Sequence, residues 1–320
     1  MPTCCWVALV RPSCSASCRN WSCWARSTAA APAAEPAPAY IAPPEESSIT
    51  LDAPVPTPPF WGTQVWRDFD PVTLHEYVNP LALYGGQFRV RRRAEETRND
   101  WWQRVETEVM PGVERVLARA QREGIFAPAA KVGFFPAAGD GNDVIVYHPD
   151  GRERLRFTFP RQPSGRMLCL ADFFRRPDDP DRDVLGVSLV TLGDKIRAYE
   201  QDLIAADRYT DYLYFHGLAV ESTEALAEVV HQRLRQLWGI AGADAPTPDG
   251  LFRQQYQGAR YSFGYPACPD LDDQALLFEL LEPAELGVTL SEEFMLIPEV
   301  STSAIVIHHP AARYFSVGGE

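Results

Sequence analysis

No apolar run in the 320-residue sequence is long enough to cross a bilayer. No basic block offsets the net charge of −13. An acidic chain of that kind suits neither nucleic acid nor an anionic membrane surface. Cysteine nearly vanishes after residue 23. Five of the seven crowd into Cys4, Cys5, Cys14, Cys18 and Cys23, leaving only Cys169 and Cys268 beyond. Two distant thiols make no disulfide framework, and they read as a reducing, cytoplasmic setting. The histidines (His75, His148, His216, His231, His308 and His309) fall into no metal-like grouping. No Ser-His-Asp or Cys-His arrangement stands out. Gly139 and Gly141 lack the third glycine of a dinucleotide loop, and strands rather than a helix follow them.

What is present is ordinary globular material, 46% hydrophobic and 23% charged, enough for one large or two small domains. Residues 1–28 mix cysteine, tryptophan and arginine without any period. The spacing Cys14-x3-Cys18-x4-Cys23 has no second ligand pair downstream, as structural zinc sites require. Residues 29–59 are rich in Ala and Pro and cannot bury a core. The expected division is a disordered leader and linker over residues 1–55 and one folded domain over residues 56–320.

Within that domain Asp70 caps a short helix running to about Val78. Asn99 caps another from Asp100, broken at Pro111 and resumed from Val113 to Gly124. Lys131–Phe135, Val144–Tyr147, Leu155–Phe159 and Leu185–Thr191 read as strands, with Asp150-Gly151 as a two-residue hairpin turn. Asp194 to Trp238 is helical with a break near Gly217, and Asp272–Leu281 is helical. Ser303–His308 and Tyr314–Val317 close the chain as strands. His308 and His309 point to opposite faces of theirs. Hairpin strands, then helices, then strands give an α+β fold with an antiparallel sheet.

The segment from Gly258 to Pro269, GARYSFGYPACP, is a poor helix and a poor strand, since two glycines and two prolines interrupt it. It reads as a rigid loop. Arg260 is its one fixed cation, and a planar guanidinium reads a carboxylate through two parallel hydrogen bonds. Gly264 admits close backbone approach, and Tyr265 adds a ring face and a hydroxyl. Taken locally, the same features also describe a proline-stiffened structural turn with a surface arginine.

The pattern Arg-x-x-x-Gly-Tyr-Pro-Ala-Cys-Pro resembles the signature loop of the S-adenosylmethionine-binding reactivation domain of cobalamin-dependent methionine synthases. Val132–Ala137, Leu168–Phe173, Tyr256–Gly258, Leu286–Leu290 and His309–Gly318 are similar to family segments in the same order, over roughly Pro56 to Gly318. The resemblance implies a curved antiparallel sheet flanked by helices, unlike the doubly wound fold of most methyltransferases. It implies that Arg260 holds the ligand and that Tyr265 borders it. Ser262 then makes a main-chain contact to the nucleoside beside Gly264, and Glu224 lies near the ligand on a helix. Tyr314 and Phe315 match an aromatic pair at the site, and sheet core fits them equally. Asn79 stands where many members carry aspartate, which keeps an acceptor but loses the charge. Cys268, between Ala and Pro, reads as packing rather than as a nucleophile.

The resemblance further implies two cofactors, S-adenosylmethionine and a cobalamin held by a partner module, and a flavodoxin-like electron donor. The Asp-x-His-x-x-Gly cobalt-ligand motif and the homocysteine and folate modules are missing from the sequence. The expectation is therefore a separately encoded or truncated reactivation module in methionine biosynthesis, part of a methyltransferase but not a complete enzyme. The competing readings are a non-catalytic docking or scaffold module and a gene fragment.

Overall fold

Strands covered on both faces cannot alternate polar with apolar residues, and the two longest strands of this chain do not. In the computed structural model, which describes residues 47–318, β2 (Ala129–Asp140) and β5 (Asp183–Thr191) lie side by side in a seven-stranded antiparallel sheet. Every residue of β5 is buried. β1 (Gly62–Trp66) and β3 (Asp143–Tyr147) share the other edge of β2, and β4 (Glu153–Thr158) extends the sheet beyond β3. On the far side of β5 come β9 (Ser301–Ile307) and then the edge strand β6 (Ala259–Tyr261). Two very short strands, β7 (Thr289–Leu290) and β8 (Leu296–Ile297), pair separately.

The pleat sends alternate side chains to two cores. Val132, Phe134, Val184, Val190 and Val306 face one, built with helices α3 (Met110–Arg122), α4 (Lys195–Ala205) and α5 (Tyr209–Leu237). Phe135, Leu185, Val187, Leu189 and Ile305 face the other, with α7 (Asp273–Leu281) and Phe173. The remaining helices are α1 (Pro71–Glu76), α2 (Arg98–Arg104) and α6 (Pro248–Phe252). This is the α+β class read from the sequence.

Several local readings change. The cap of α2 is Thr97, not Asn99. Its hydroxyl accepts from the Asp100 amide at 3.2 Å while the Asp100 carboxylate accepts from the Thr97 amide at 2.9 Å, a reciprocal capping box. Pro111 does not break the rod, because it sits in the first turn of α3, where no donor is missed. A π-helical segment, Val105–Val109, joins the two helices. The hairpin between β3 and β4 is present, but its loop spans residues 148–152. Tyr314–Val317 forms no strand and runs as an irregular segment.

The helical break falls at residues 206–208, where Asp207 takes a left-handed backbone (φ 56°). α5 continues straight through Gly217. A Cβ at Gly217 would meet Phe88 Cε1 at 2.7 Å and Gln87 Cβ at 2.9 Å. That glycine serves close approach of the π-helical turn Leu81–Gln87, which packs on α5.

The folded part also begins before Pro56. His309 Nε2 donates to Thr50 O at 3.0 Å, Arg175 Nη2 to Ala53 O at 3.0 Å and Trp238 Nε1 to Pro56 O at 3.1 Å. Ile49 and Val55 each pack on a core. The expectations for residues 1–46, a disordered leader and linker without zinc, lie outside the described residues. Among the described residues no helix is long and apolar enough to span a membrane, and no cluster of His, Cys, Asp and Glu could hold a metal ion.

Candidate ligand site where β6 crosses α5

The stretch read as a loop begins as a strand. β6 pairs with β9 in the register Ala259–Ile307, Arg260–Val306, Tyr261–Ile305. Gly258 before it has φ +79°, and a Cβ there would lie 2.4 Å from the Ile307 carbonyl oxygen. Strand alternation sends Ala259 and Tyr261 into the core shared with α7. Arg260 therefore projects from the opposite face, over α5.

α5 meets it with a polar stripe at helical spacing, Glu221, Glu224, Glu228, His231 and Arg235. Arg260 Nη2 lies 3.3 Å from Glu224 Oε2 and 3.7 Å from Glu228 Oε2. Among the described residues its Nε and Nη1 donate to no protein acceptor. Burial works against the Arg260 charge, but Glu224 and Glu228 outweigh it and hold the pKa above its ordinary value. The Glu224 side chain is 42% exposed and that of Glu228 only 9%. Burial pushes the Glu228 pKa up against the pull of Arg260 and Arg235.

Below this pair, Arg235 grips Asp244 through Nε at 3.1 Å and Nη2 at 2.8 Å, and stacks 4.0 Å over the Tyr256 ring. His231 meets the same ring edge-on at 5.1 Å. Burial, then the charges of Arg235 and Arg260, drive its pKa well below the usual value, so it is neutral. Burial also pushes the Tyr256 hydroxyl up to about 12.

Beyond β6 the chain turns tightly. The Gly264 amide donates to Cys268 O at 2.9 Å, and Cys268 Sγ and the Tyr265 amide both reach Ser262 O, at 2.9 and 3.4 Å. The Val317 amide fixes Pro266 O at 2.9 Å. Gly264 takes φ +81°. Cys268 is buried, and burial pushes its thiol up to about 12, which leaves it without nucleophilic character. Tyr265 stays 45% exposed. The Glu224 charge and then burial raise its hydroxyl pKa.

Arg260, Glu224 and Tyr265 thus come together, with Ser262 and Gly264 shaping the turn between them. Asn79 is committed differently. Its Oδ1 accepts from the Leu81 amide at 3.0 Å and the Ala82 amide at 3.3 Å, capping the π-helical turn. Its segment runs along α5, since Tyr77 donates to Gln232 at 2.6 Å and Gln87 to Glu221 at 2.9 Å. Phe315 is a core residue, 5.9 Å from the Tyr261 ring and 6.4 Å from that of Phe173. Tyr314 beside it is 47% exposed. The sequence reading missed Glu221, Glu228 and Arg235. Their only signal was the repeat of charged residues along one face of α5. A separate cavity of about 770 Å³ lies between Pro54–Pro58, His148 and Arg182, and none of the expected site residues lines it.

An antiparallel α+β domain with a cation and two carboxylates at a strand–helix crossing is unlike the doubly wound nucleotide folds. The chain belongs to the family described as vitamin B12 dependent methionine synthase, activation domain, which it matches over residues 89–319. It is 42% identical over 288 residues to a methionine synthase of Mycobacterium tuberculosis (strain ATCC 25618 / H37Rv). The same identity and span relate it to that of Mycobacterium leprae (strain TN). In both cases the alignment covers 86% of this chain, which spans about a quarter (24%) of the relative. Its fold is similar to a crystal structure of the MetH reactivation domain bound to AdoHcy, with a TM-score of 0.73, 27% identity and 83% of each chain covered.

Proposed function

We propose that this chain binds S-adenosylmethionine where β6 crosses α5 and works as the reactivation module of a cobalamin-dependent methionine synthase. The observation that carries the reading is Arg260, whose Nε and Nη1 donate to no described acceptor, beside the half-exposed Glu224. A fixed cation next to a fixed anion complements an amino-acid zwitterion, with the carboxylate on Arg260 and the cationic end toward Glu224. Tyr265 and Tyr314 stand exposed to border the rest of the ligand.

Cobalamin on a partner module, once reduced by a flavodoxin-like donor, would supply the methyl acceptor. This chain's share is positioning, and no general base is needed, because the acceptor is itself the nucleophile. Arg260 and Glu224 fix the amino-acid end, and the turn from Ser262 to Cys268 fixes the backbone against which the nucleoside lies. We further propose that residues 1–46 contribute nothing to this task and that the chain acts in the cytoplasm, away from nucleic acid and membrane.

Calorimetric titration of the full chain with S-adenosylmethionine tests the binding. One-to-one binding is expected, and absence of heat at millimolar ligand sinks the reading. Removal of residues 1–46 should leave the thermal midpoint unchanged, because both cores lie within residues 47–318. A fall of several degrees, the mark of about 1 kcal/mol or more in a domain this size, would show that they support the fold.

Asn79 offers a finer test. Asp caps as well as Asn, so Asn79→Asp should keep the bonds to Leu81 and Ala82 and put a second oxygen where the amide nitrogen was. If that atom faces the sulfonium, S-adenosylmethionine should tighten about three- to thirtyfold more than S-adenosylhomocysteine, from a charge-assisted contact of roughly 1.5–3 kcal/mol less its desolvation. Equal changes for both ligands would mean that the position does not sense the sulfonium.

A further inference from the structure

Buried polar atoms are nearly always hydrogen-bonded, so a cluster of exceptions calls for a reason. Glu228 Oε1, both ring nitrogens of His231 and Nη1 of Arg235 are buried without a partner. They lie on one stripe of α5, directly under Arg260. Glu228 itself is 7% exposed, so its charge is held in the interior at a cost. A packed Leu or Met would spare that cost. The carboxylate is kept where its nearest cation is Arg260, at 3.7 Å.

We infer that Glu228 is a positioning residue for the ligand clamp: it holds Arg260 from beneath and keeps it from closing onto Glu224. The inference rests on the S-adenosylmethionine reading above and deepens it. One nitrogen, Arg260 Nη2, is shared between the two carboxylates, at 3.3 Å from Glu224 and 3.7 Å from Glu228. With Glu228 ionised, the cation is balanced from the protein side. Its Nε and Nη1 stay free of the protein, and Glu224 keeps charge in hand for the cationic end of the ligand. Without that lower charge, Glu224 becomes the one carboxylate within reach. The planar fork then turns to it as a two-bond pair, the preferred geometry of arginine and carboxylate. The ligand would meet a site already neutralised and would have to break that pair to bind at either end.

The rest of the stripe supports this division of labour. Arg235 is engaged by Asp244 and so competes little for Glu228. His231 is neutral and brings no charge of its own. Tyr77, Tyr256 and Asp244, the other titratable groups that feel Glu228, add no second cation.

Titrating wild type and Glu228→Gln with S-adenosylmethionine and with 5′-methylthioadenosine, which lacks the amino-acid end, tests the inference. Glu228→Gln should weaken S-adenosylmethionine about tenfold, or roughly 1.4 kcal/mol, and leave 5′-methylthioadenosine within twofold. In a Glu224→Gln background, where Arg260 has no upper partner to close on, the same change should cost under threefold. An affinity within twofold for S-adenosylmethionine overturns the proposal. So does equal weakening of both ligands, or an undiminished penalty in the Glu224→Gln background, since a merely structural role gives those results. Should Glu228→Gln not fold, Glu228→Asp keeps the charge but withdraws it by one methylene. It should weaken S-adenosylmethionine selectively by a few fold, and a non-selective loss overturns the role. Wild type that binds neither ligand ends the parent reading along with this one. Wild type that binds, beside an indifferent Glu228→Gln, ends this one alone.

Discussion

Arg260→Lys is expected to weaken S-adenosylmethionine binding by about ten- to hundredfold, with the fold intact. The guanidinium bonds Glu224 through Nη2 and lies near Glu228, while its Nε and Nη1 donate to no described acceptor. An ammonium is a single charged point and lacks the separate nitrogens through which a guanidinium can face the carboxylates with one and a ligand with the others. The lost contact is a charge-assisted hydrogen bond worth roughly 1.5–3 kcal/mol, which converts to the stated factor. Lysine is the informative change because it leaves a cation beside the buried Glu228. Removing the cation altogether strands that carboxylate, which costs about 3–5 kcal/mol in stability and confuses unfolding with lost binding. An affinity within twofold of wild type, with an unchanged melting curve, would reject Arg260 as the clamp.

How far the sequence announced these features depended on the range of the interaction behind each one. β2 and β5 were legible because a strand covered on both faces advertises itself in consecutive residues. Gly217 misled because a glycine inside a helical pattern carries the same local signal whether it ends the helix or admits a neighbour. Here the neighbour is Gln87 and Phe88, far away in sequence. β6 was hidden for a similar reason, since its three residues are a strand only by pairing with β9. Tyr314–Val317 has strand composition, but Tyr261 and Phe173 take Phe315 into their core, and the segment forms no strand. Arg260 and Tyr265 were readable as ligand-binding chemistry within one short stretch. The partner of Arg260, Glu224, stands 36 residues earlier and came from family resemblance alone. Glu228 was legible by neither route. Beyond the repeat of charged residues along α5, nothing local marks a helical carboxylate that a later strand will bury.

Gly258→Ala should be the most damaging small change near the site, lowering the thermal midpoint by roughly 5–15 °C. Two costs add. The residue holds φ +79°, a left-handed backbone that costs an L side chain about 1–2 kcal/mol. The new methyl would also fall 2.4 Å from the Ile307 carbonyl oxygen and 3.3 Å from His308 Cα, both backbone atoms that no rotamer change can move. Relieving the clash means pulling β6 off β9, an overpacking penalty of about 1–3 kcal/mol or more. The sum, about 2–5 kcal/mol, converts at roughly 2–4 °C per kcal/mol for a domain of this size. Gly264→Ala is the internal comparison. It has a similar φ of +81°, but its Cβ would meet only the Leu271 side chain, at 2.8 Å from Cδ2, an end able to turn away. It should melt closer to wild type. Ligand binding separates the two further. A shift of β6 carries Arg260, two residues on, away from Glu224 and Glu228, so Gly258→Ala should also lose S-adenosylmethionine affinity at temperatures where it is still folded. A Gly258→Ala protein that melts with wild type and binds normally would mean that the β6–β9 pairing does not hold Arg260 in place.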